Sequence, residues 1–402
     1  GEIQKAMSTS LQPEHANALA TFDHVQQTRL VFGNGMAART GELSAELGLK
    51  RILIVTDPGI IRAGHVATVR KSLEAAGLEV IVFDQVIENP TTDCVERCRR
   101  LAERAGTDSF LGLGGGSSMD TAKGANFLLT NGGRMQDYWG IGLAKREMLP
   151  LIVIPTTAGT GSECQSFALI SDIETHNKMA CGDPKAAAKI AILDPELTLS
   201  LPRNVTACTG IDAIAHAVET AVTKKRNEKS WMFSKEAFGL LLPNFATVLN
   251  QPDNLNARGS MLLGAALAGC AIEASMLGAA HSAANPLTAE YDIVHGQAVG
   301  MMLPHVVRFN AELGEASRAY AELAAIGKLG QAATTNEAVE RLAKRLTKLL
   351  EQADMPVTLR ASGVEESMLT TLATEAAGQW TASFNPREVG QAEMESIYRV
   401  AF

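Results

Sequence analysis

Short apolar runs alternate with amphipathic helical stretches in the first half of the chain and stop near residue 195, a change of texture that narrows the possible folds sharply. Arg51-Ile-Leu-Ile-Val-Thr56 reads as a buried strand, and His65 to Ala76 as a helix with apolar residues at helical spacing. Leu78-Glu-Val-Ile-Val-Phe83 is the next strand, followed by a helix around Cys94 to Ala105. Ser109 to Leu113 and Leu151 to Ile154 are two further strands. Strands alternating with helices imply a parallel sheet with right-handed crossovers, a doubly wound α/β domain. Beyond Asp194-Pro195 the pattern becomes Ala- and Leu-rich and helical, as in Asn256 to Met276, Ala311 to Leu329 and Asn336 to Ala353. The expectation is an N-terminal extension over residues 1–20 and an α/β Rossmann-like dinucleotide-binding domain over 21–198. An all-α domain over 199–402 completes the chain. Ligands of such sheets bind at the carboxyl ends of the strands. A cofactor and a substrate are expected to meet there, in a cleft closed by the helical domain.

Composition removes several function classes. A chain of 402 residues exceeds one ordinary core and suits two domains. Hydrophobic residues at 46%, charged residues at 20% and a mean hydropathy of +0.04 describe a soluble globular protein. A net charge of −8 argues against nucleic acid or an anionic membrane as partner. No uninterrupted apolar run reads as long enough to span a bilayer. The first 25 residues lack an apolar signal region, and six cysteines are no disulfide scaffold. Reduced thiols in the cytoplasm are expected. Cys94 and Cys98 fall one helical turn apart without a second pair to complete a zinc site.

Two glycine segments compete for a nucleotide. Gly33-Asn-Gly35-Met-Ala-Ala38 follows a strand-like run, Arg29 to Phe32, with Asp57 about twenty residues on, as the dinucleotide fingerprint asks. Gly114-Gly115-Gly116-Ser117-Ser118 follows a strongly buried strand and opens a helix. Glycines there let backbone N–H groups approach a pyrophosphate, Ser117 can cap the helix and donate to a phosphate, and the helix dipole adds to the attraction. The second segment is the better phosphate site.

In the helical half, Asp212 and His216 are four apart and share one helix face. His281 follows in an Ala-rich helical stretch that Pro286 is expected to end, and His295 opens another apolar helix. One carboxylate and three imidazoles suit a divalent first-row metal, iron(II) or zinc.

Taken together, Gly114 to Lys123, Pro155-Thr-Thr-Ala-Gly-Thr-Gly-Ser-Glu163, Gly210-Ile-Asp-Ala-Ile-Ala-His-Ala-Val-Glu219 and His295-Gly296 resemble the iron-containing (group III) alcohol dehydrogenases, in their usual order. The resemblance runs from about Val31 to the end and includes Asn385-Pro386-Arg387. It implies a dehydroquinate synthase-like architecture, with Asp212, His216, His281 and His295 as metal ligands. It further implies that Gly115, Gly116, Ser117 and Asp120 hold the pyrophosphate, that Thr156, Thr157 and Thr160 line the cofactor cleft, and that Lys178 contacts the cofactor. Asp57 would accept hydrogen bonds from the adenosine ribose and repel a 2′-phosphate, which favours NAD over NADP. The Gly33 segment becomes a plain turn.

One position departs from the family. Many members have a second histidine four residues after the one matching His281, where this chain has Asn285. Asparagine cannot titrate near neutrality, so Asn285 is expected to orient substrate; its structural alternative is a helix-terminal asparagine before Pro286. The implied activity is metal-dependent, NAD(P)-linked oxidation of a small alcohol or reduction of an aldehyde. A dehydroquinate synthase-like lyase needs a more basic pocket, a metal-free maleylacetate-type reductase does not need the four-residue set, and a binding protein would show no turnover. A homo-oligomer, a dimer by preference, could form through an edge strand at Arg29 to Phe32.

Overall fold

The computed structural model describes residues 27–402, so the expected extension over residues 1–20 lies outside the described residues. Six parallel strands form the main sheet, in the order β1 (Arg29–Phe32), β9 (Ile190–Leu193), β6 (Leu151–Pro155), β4 (Ser109–Gly114), β2 (Arg51–Val55) and β3 (Glu79–Phe83). Every residue of β4, β6 and β9 is buried. That is why these runs are continuously apolar rather than alternating: a parallel sheet is covered on both faces. Ile52 and Ile54, Leu111 and Leu113, Ile152 and Ile154, and Ile190 and Ile192 form one face at a period of two, packed against Val66, Val69 and Leu73 of the His65–Ala75 helix.

A second sheet was not foreseen. β5 (Gly140–Ile141), β8 (Lys178–Gly182) and β7 (Phe167–Ser171) pair in that order, β7 antiparallel to β8. Ala168, Ile170, Met179 and Cys181 of this sheet pack with Val95, Phe127 and Leu128. The Gly33 segment is a turn: Gly35 has φ +77 and leads a 3-10 helix, Met36–Arg39. Its amides are already taken, since Gly35 and Ala37 donate to the two carboxylate oxygens of Asp194 at 3.0 and 2.9 Å. A buried side chain fills the place a phosphate would need.

The chain divides into two compact units. One runs to Pro202 and also takes in Pro252–Gly269; the other comprises Arg203–Gln251 and Cys270–Phe402. Residues 252–269, which the sequence reading placed in the helical half, therefore belong with the sheet. Within that unit Gly269 lies against Gly161 so closely that a Cβ on either would approach the other's backbone to less than 3 Å. The helix carrying this segment, Leu255–Ser275, is long and apolar enough to cross a membrane by length and composition, contrary to the sequence reading, but its apolar window is 72% buried in protein.

The second unit is helical among its described residues, and three of its helices contain proline: Pro243, Pro286 and Pro304. Pro286 does not end the His281 stretch. The helix runs Ala279–Tyr291, placing Asn285 in its interior rather than at its end. An internal proline costs about 3 kcal/mol in an isolated helix. Burial of Ala283, Ala284 and Leu287 on either side outweighs that local preference.

Candidate metal centre and nucleotide site

The Arg203–Thr220 helix is polar on one buried stripe. Asp212 and His216, one turn apart, are both almost fully buried, and His281 from the Ala279–Tyr291 helix joins them. Oδ1 of Asp212 lies 3.2 Å from Nε2 of His216, 3.0 Å from Nε2 of His281 and 3.1 Å from Nε2 of His295. The His216 and His281 rings stack with centroids 5.0 Å apart. Asp212, His216 and His281 offer donor atoms all within 4.8 Å of one another. His295 is the partly open member, its side chain 42% exposed. Atoms about 3 Å apart can share one cation at the bond lengths of about 2.0–2.2 Å that imidazole and carboxylate ligands adopt. The donor set therefore fits a divalent ion. His281 alone could be attracted to Asp212 as an ordinary ion pair, but three Nε2 atoms converging on a single oxygen go beyond one pair.

Charge settles the protonation preferences. Burial opposes ionisation of Asp212, yet the neighbouring His216 and His295 rings hold its carboxyl well below the usual range. Burial likewise disfavours a charged His281, but the carboxylates of Glu219 and Asp212 outweigh it and push the ring up to about 10.

Glu219 was missed at the level of sequence, although it ends the quoted Gly210–Glu219 motif. It lies on the same helix as Asp212 and His216, is 3% exposed, and hydrogen-bonds Nδ1 of His281. A charged residue three places after His216 in a stretch of alanines and valines was the available signal. Asn285 is half-buried, and its Nδ2 donates to Oε1 of Gln379 at 3.0 Å.

In the other unit, β4 runs into the glycine turn. Gly114 has φ +145, and a Cβ on it would stand 2.5 Å from Ser118 Oγ. Gly115 is the N-cap of the Gly116–Asn131 helix, so Ser117 sits inside the first turn and does not cap. Its hydroxyl accepts instead from the Asn89 amide at 3.3 Å. The threonine loop lies directly against this turn: a Cβ at Gly116 would be 2.9 Å from Thr160 Oγ1, and one at Gly115 would be 3.5 Å from Thr157 Oγ1. Thr156 donates its amide to Gly114 O at 2.9 Å. Three buried hydroxyls, of Thr56 and Thr156 just at strand ends and of Ser118 in the first turn of the helix, have no hydrogen-bond partner within the protein. Unpaired hydroxyls beside a glycine turn suit a phosphate-bearing ligand.

Other residues of the set behave differently. Asp57 caps the short Pro58–Arg62 helix, its Oδ1 accepting from Ile60 N at 3.0 Å. Lys178 is exposed at the start of β8. Asp120 is buried, and its carboxylate accepts from Ser162 Oγ at 2.8 Å and Leu169 N at 3.2 Å. Its oxygens thus face the protein, helping Lys123 to hold the loop; Lys123 Nζ donates to the carbonyls of Ser162, Gln165 and Phe167 at 2.7–3.1 Å.

Glu163 lies in the same buried region, and its Oε1 has no partner within the protein. Burial pushes its carboxyl from 4.5 up to about 7, against its own backbone amide and Lys123. Because the folded value exceeds the unfolded one, stability is greatest below about 4.5 and falls as pH rises towards 7, by up to about 3 kcal/mol. Glu163→Gln should remove this component, so that variant and wild-type urea midpoints diverge in the variant's favour between pH 5 and 8.5. Parallel pH curves would show that Glu163 ionises at its ordinary value.

Comparisons with known proteins agree across both units. Residues 27–195 match the family model for iron-containing alcohol dehydrogenase, and residues 206–402 match that for the C-terminal part of the Fe-containing alcohol dehydrogenase family. The chain is 34% identical over 400 residues to choline dehydrogenase of Bacillus subtilis, covering 98% of each. It is 31% identical over 372 residues to NAD-dependent methanol dehydrogenase of Bacillus methanolicus, covering 92% of this chain and 97% of the relative. Among solved structures, a 1,3-propanediol oxidoreductase superposes with a TM-score of 0.90 at 32% identity, over 95% of this chain and all of that one.

Proposed function

Because the chain belongs to the iron-containing alcohol dehydrogenase family, we propose that it moves hydride between NAD and a small alcohol or aldehyde at an iron(II) centre held by Asp212, His216, His281 and His295. It is an oxidoreductase acting on CH–OH groups. The carrying observation is the convergence of three imidazole Nε2 atoms on Oδ1 of Asp212. A divalent cation bound by that set supplies Lewis acidity, polarising a carbonyl or lowering the pKa of an alcohol.

The protein's own groups do the rest. Asp212 contributes the negative charge that offsets a cation among three imidazoles, each of which would offer a deprotonated Nε2 to the ion. His295, the exposed member, marks the side open to substrate. Gly115, Gly116 and Ser117 present amides and a hydroxyl to the pyrophosphate, with Thr156, Thr157 and Thr160 beside them and Lys178 nearby. Asp120 supports this loop from beneath rather than touching the phosphates. Asp57 accepts from the ribose and disfavours a 2′-phosphate. Asn285, four residues from His281 on the same helix face, orients the substrate with a group that stays neutral at every working pH. Six free thiols fit a reducing cytoplasm, and β1, outermost in the sheet among the described residues, suits pairing with a second copy.

The test is metal content together with NAD- and NADP-linked oxidation of a panel of small alcohols, before and after chelation. Activity that disappears with the metal and returns with iron(II), and that is faster with NAD, is the expected result. Recovery with zinc alone would replace the ion, and turnover surviving complete metal removal would overturn the reading.

A further inference from the structure

The helix that carries His281 starts without a cap of its own. Gly278 precedes it and has no side chain to offer, yet the first amides of a helix need acceptors when they are buried. Two distant residues supply them. Asn385 Oδ1 accepts from Ala279 N at 3.2 Å, Glu219 Oε2 from Ala280 N at 3.1 Å, and Glu219 Oε1 from His281 N at 3.3 Å. A Cβ at residue 278 would stand 2.8 Å from Glu219 Oε2 and 3.0 Å from Asn385 Oδ1, so the glycine opens the space that both occupy. A carboxylate at a helix N-terminus is also favoured by the helix dipole.

The same Glu219 oxygen that accepts from the His281 amide also meets Nδ1 of the His281 ring. With two amides already donating to it, Glu219 acts as an acceptor, so Nδ1 must be the donor in that contact. The ring's Nε2 is then the atom directed at Asp212. Asn385 is fixed in turn. It exchanges hydrogen bonds with Asn310, at 2.8 and 3.2 Å, and donates to the Arg387 carbonyl at 2.7 Å, while Asn310 also reaches Tyr320 Oη at 3.1 Å. All of these side chains but that of Arg387 are buried. The Asn385-Pro386-Arg387 segment, to which the chemistry above assigns nothing, is thereby tied to the metal-bearing helix.

We propose that Glu219 and Asn385 are positioning residues, a buried clamp that fixes the direction and tautomer of His281 and so sets how tightly the centre retains its divalent cation. The inference rests on reading the four-residue cluster as a metal centre. Outer partners of metal-bound imidazoles are worth 10–100-fold in affinity.

The experiment is competition of metal-loaded protein with a graded chelator, using iron(II) and zinc separately and reading bound metal rather than turnover. Glu219→Gln keeps the shape but replaces an acceptor oxygen by a donor, and should weaken binding by about 10–100-fold. Glu219→Asp, which keeps the charge, should recover part of the loss. Asn385→Ala should weaken binding less, and its effect should not add fully to that of Glu219→Gln, because both act on one helix end. A purely structural role would lower the melting temperature of loaded and metal-free protein alike, leaving the stabilisation by metal unchanged. Unchanged metal affinity in Glu219→Gln overturns the clamp. Should that variant fail to fold, wild-type affinity in Asn385→Ala does the same. A wild-type protein that binds neither ion sinks the metal reading itself, and the two failures are told apart by that control.

Discussion

Asp212→Asn is expected to empty the metal centre and to lower kcat/KM by about a thousandfold or more, because a Lewis acid supplies several kcal/mol and each 1.36 kcal/mol is tenfold. All three imidazole nitrogens face the one oxygen that this substitution changes. An amide at residue 212 has no charge to offset a cation and can turn an N–H donor towards rings that should themselves be ligands. The buried apolar residues on the same helix, Ile211, Ala213, Ile214 and Ala215 among them, are untouched by the isosteric change, so the loss should appear in bound metal and rate with the circular dichroism spectrum preserved. A variant that keeps its metal and loses less than tenfold in kcat/KM would show that Asp212 is not a ligand.

Gly296→Ala is expected to be the most damaging single methyl group in the helical unit. A Cβ at that position would lie 2.0 Å from the carbonyl oxygen of Cys208 and 2.7 Å from its carbon. These are backbone atoms of the Arg203–Thr220 helix and cannot rotate away. Forcing a group into such a contact costs about 1–3 kcal/mol and occasionally more, with this site at or above the upper end. At about 2–4 °C per kcal/mol, a melting temperature lower by roughly 6–12 °C follows. The displaced helix begins with His295, so His295 should move off Asp212 and metal should be lost in the same variant. Gly300, one turn on, provides the comparison: a Cβ there would meet Ile211 Cγ2 at 2.8 Å and Leu350 Cδ2 at 3.0 Å, both side-chain atoms. Gly300→Ala should therefore be milder. Equal melting temperatures for Gly296→Ala and wild type would show that the two helices can part without penalty.

How much of this was legible depended on how local the cause was. β2, β4 and β6 declare themselves because a strand buried on both faces must be apolar throughout, and nothing polar interrupts them. β7 and β8 do not, because Lys178-Met-Ala-Cys-Gly182 contains no β-branched residue and acquires its strand geometry from pairing with Phe167–Ser171. Helical spacing placed Asp212 and His216 on one face, but no spacing could bring His281 and His295 to them. Only the resemblance to known motifs did so in advance. The family resemblance groups Asp120 with the pyrophosphate turn, a placement no local pattern in the sequence tests. Helix rotation points it instead at Ser162 and Leu169. Glu219 escaped because its partners are 61 and 62 residues away. Proline at 286 was read as a stop signal, a local rule that the burial of its neighbours overrides.

The first unit is also discontinuous in a way that has a temporal meaning. Its sheet is complete by Leu193, but Gly259 fits against Phe32 and Pro195, and Gly269 against Gly161, only after the chain has left this unit and come back. Translation delivers about 5–20 residues each second. For several seconds after Pro202 is made, Phe32, Pro195 and Gly161 therefore wait for the segment that packs on them, and helices of the next unit are synthesised before the first is complete.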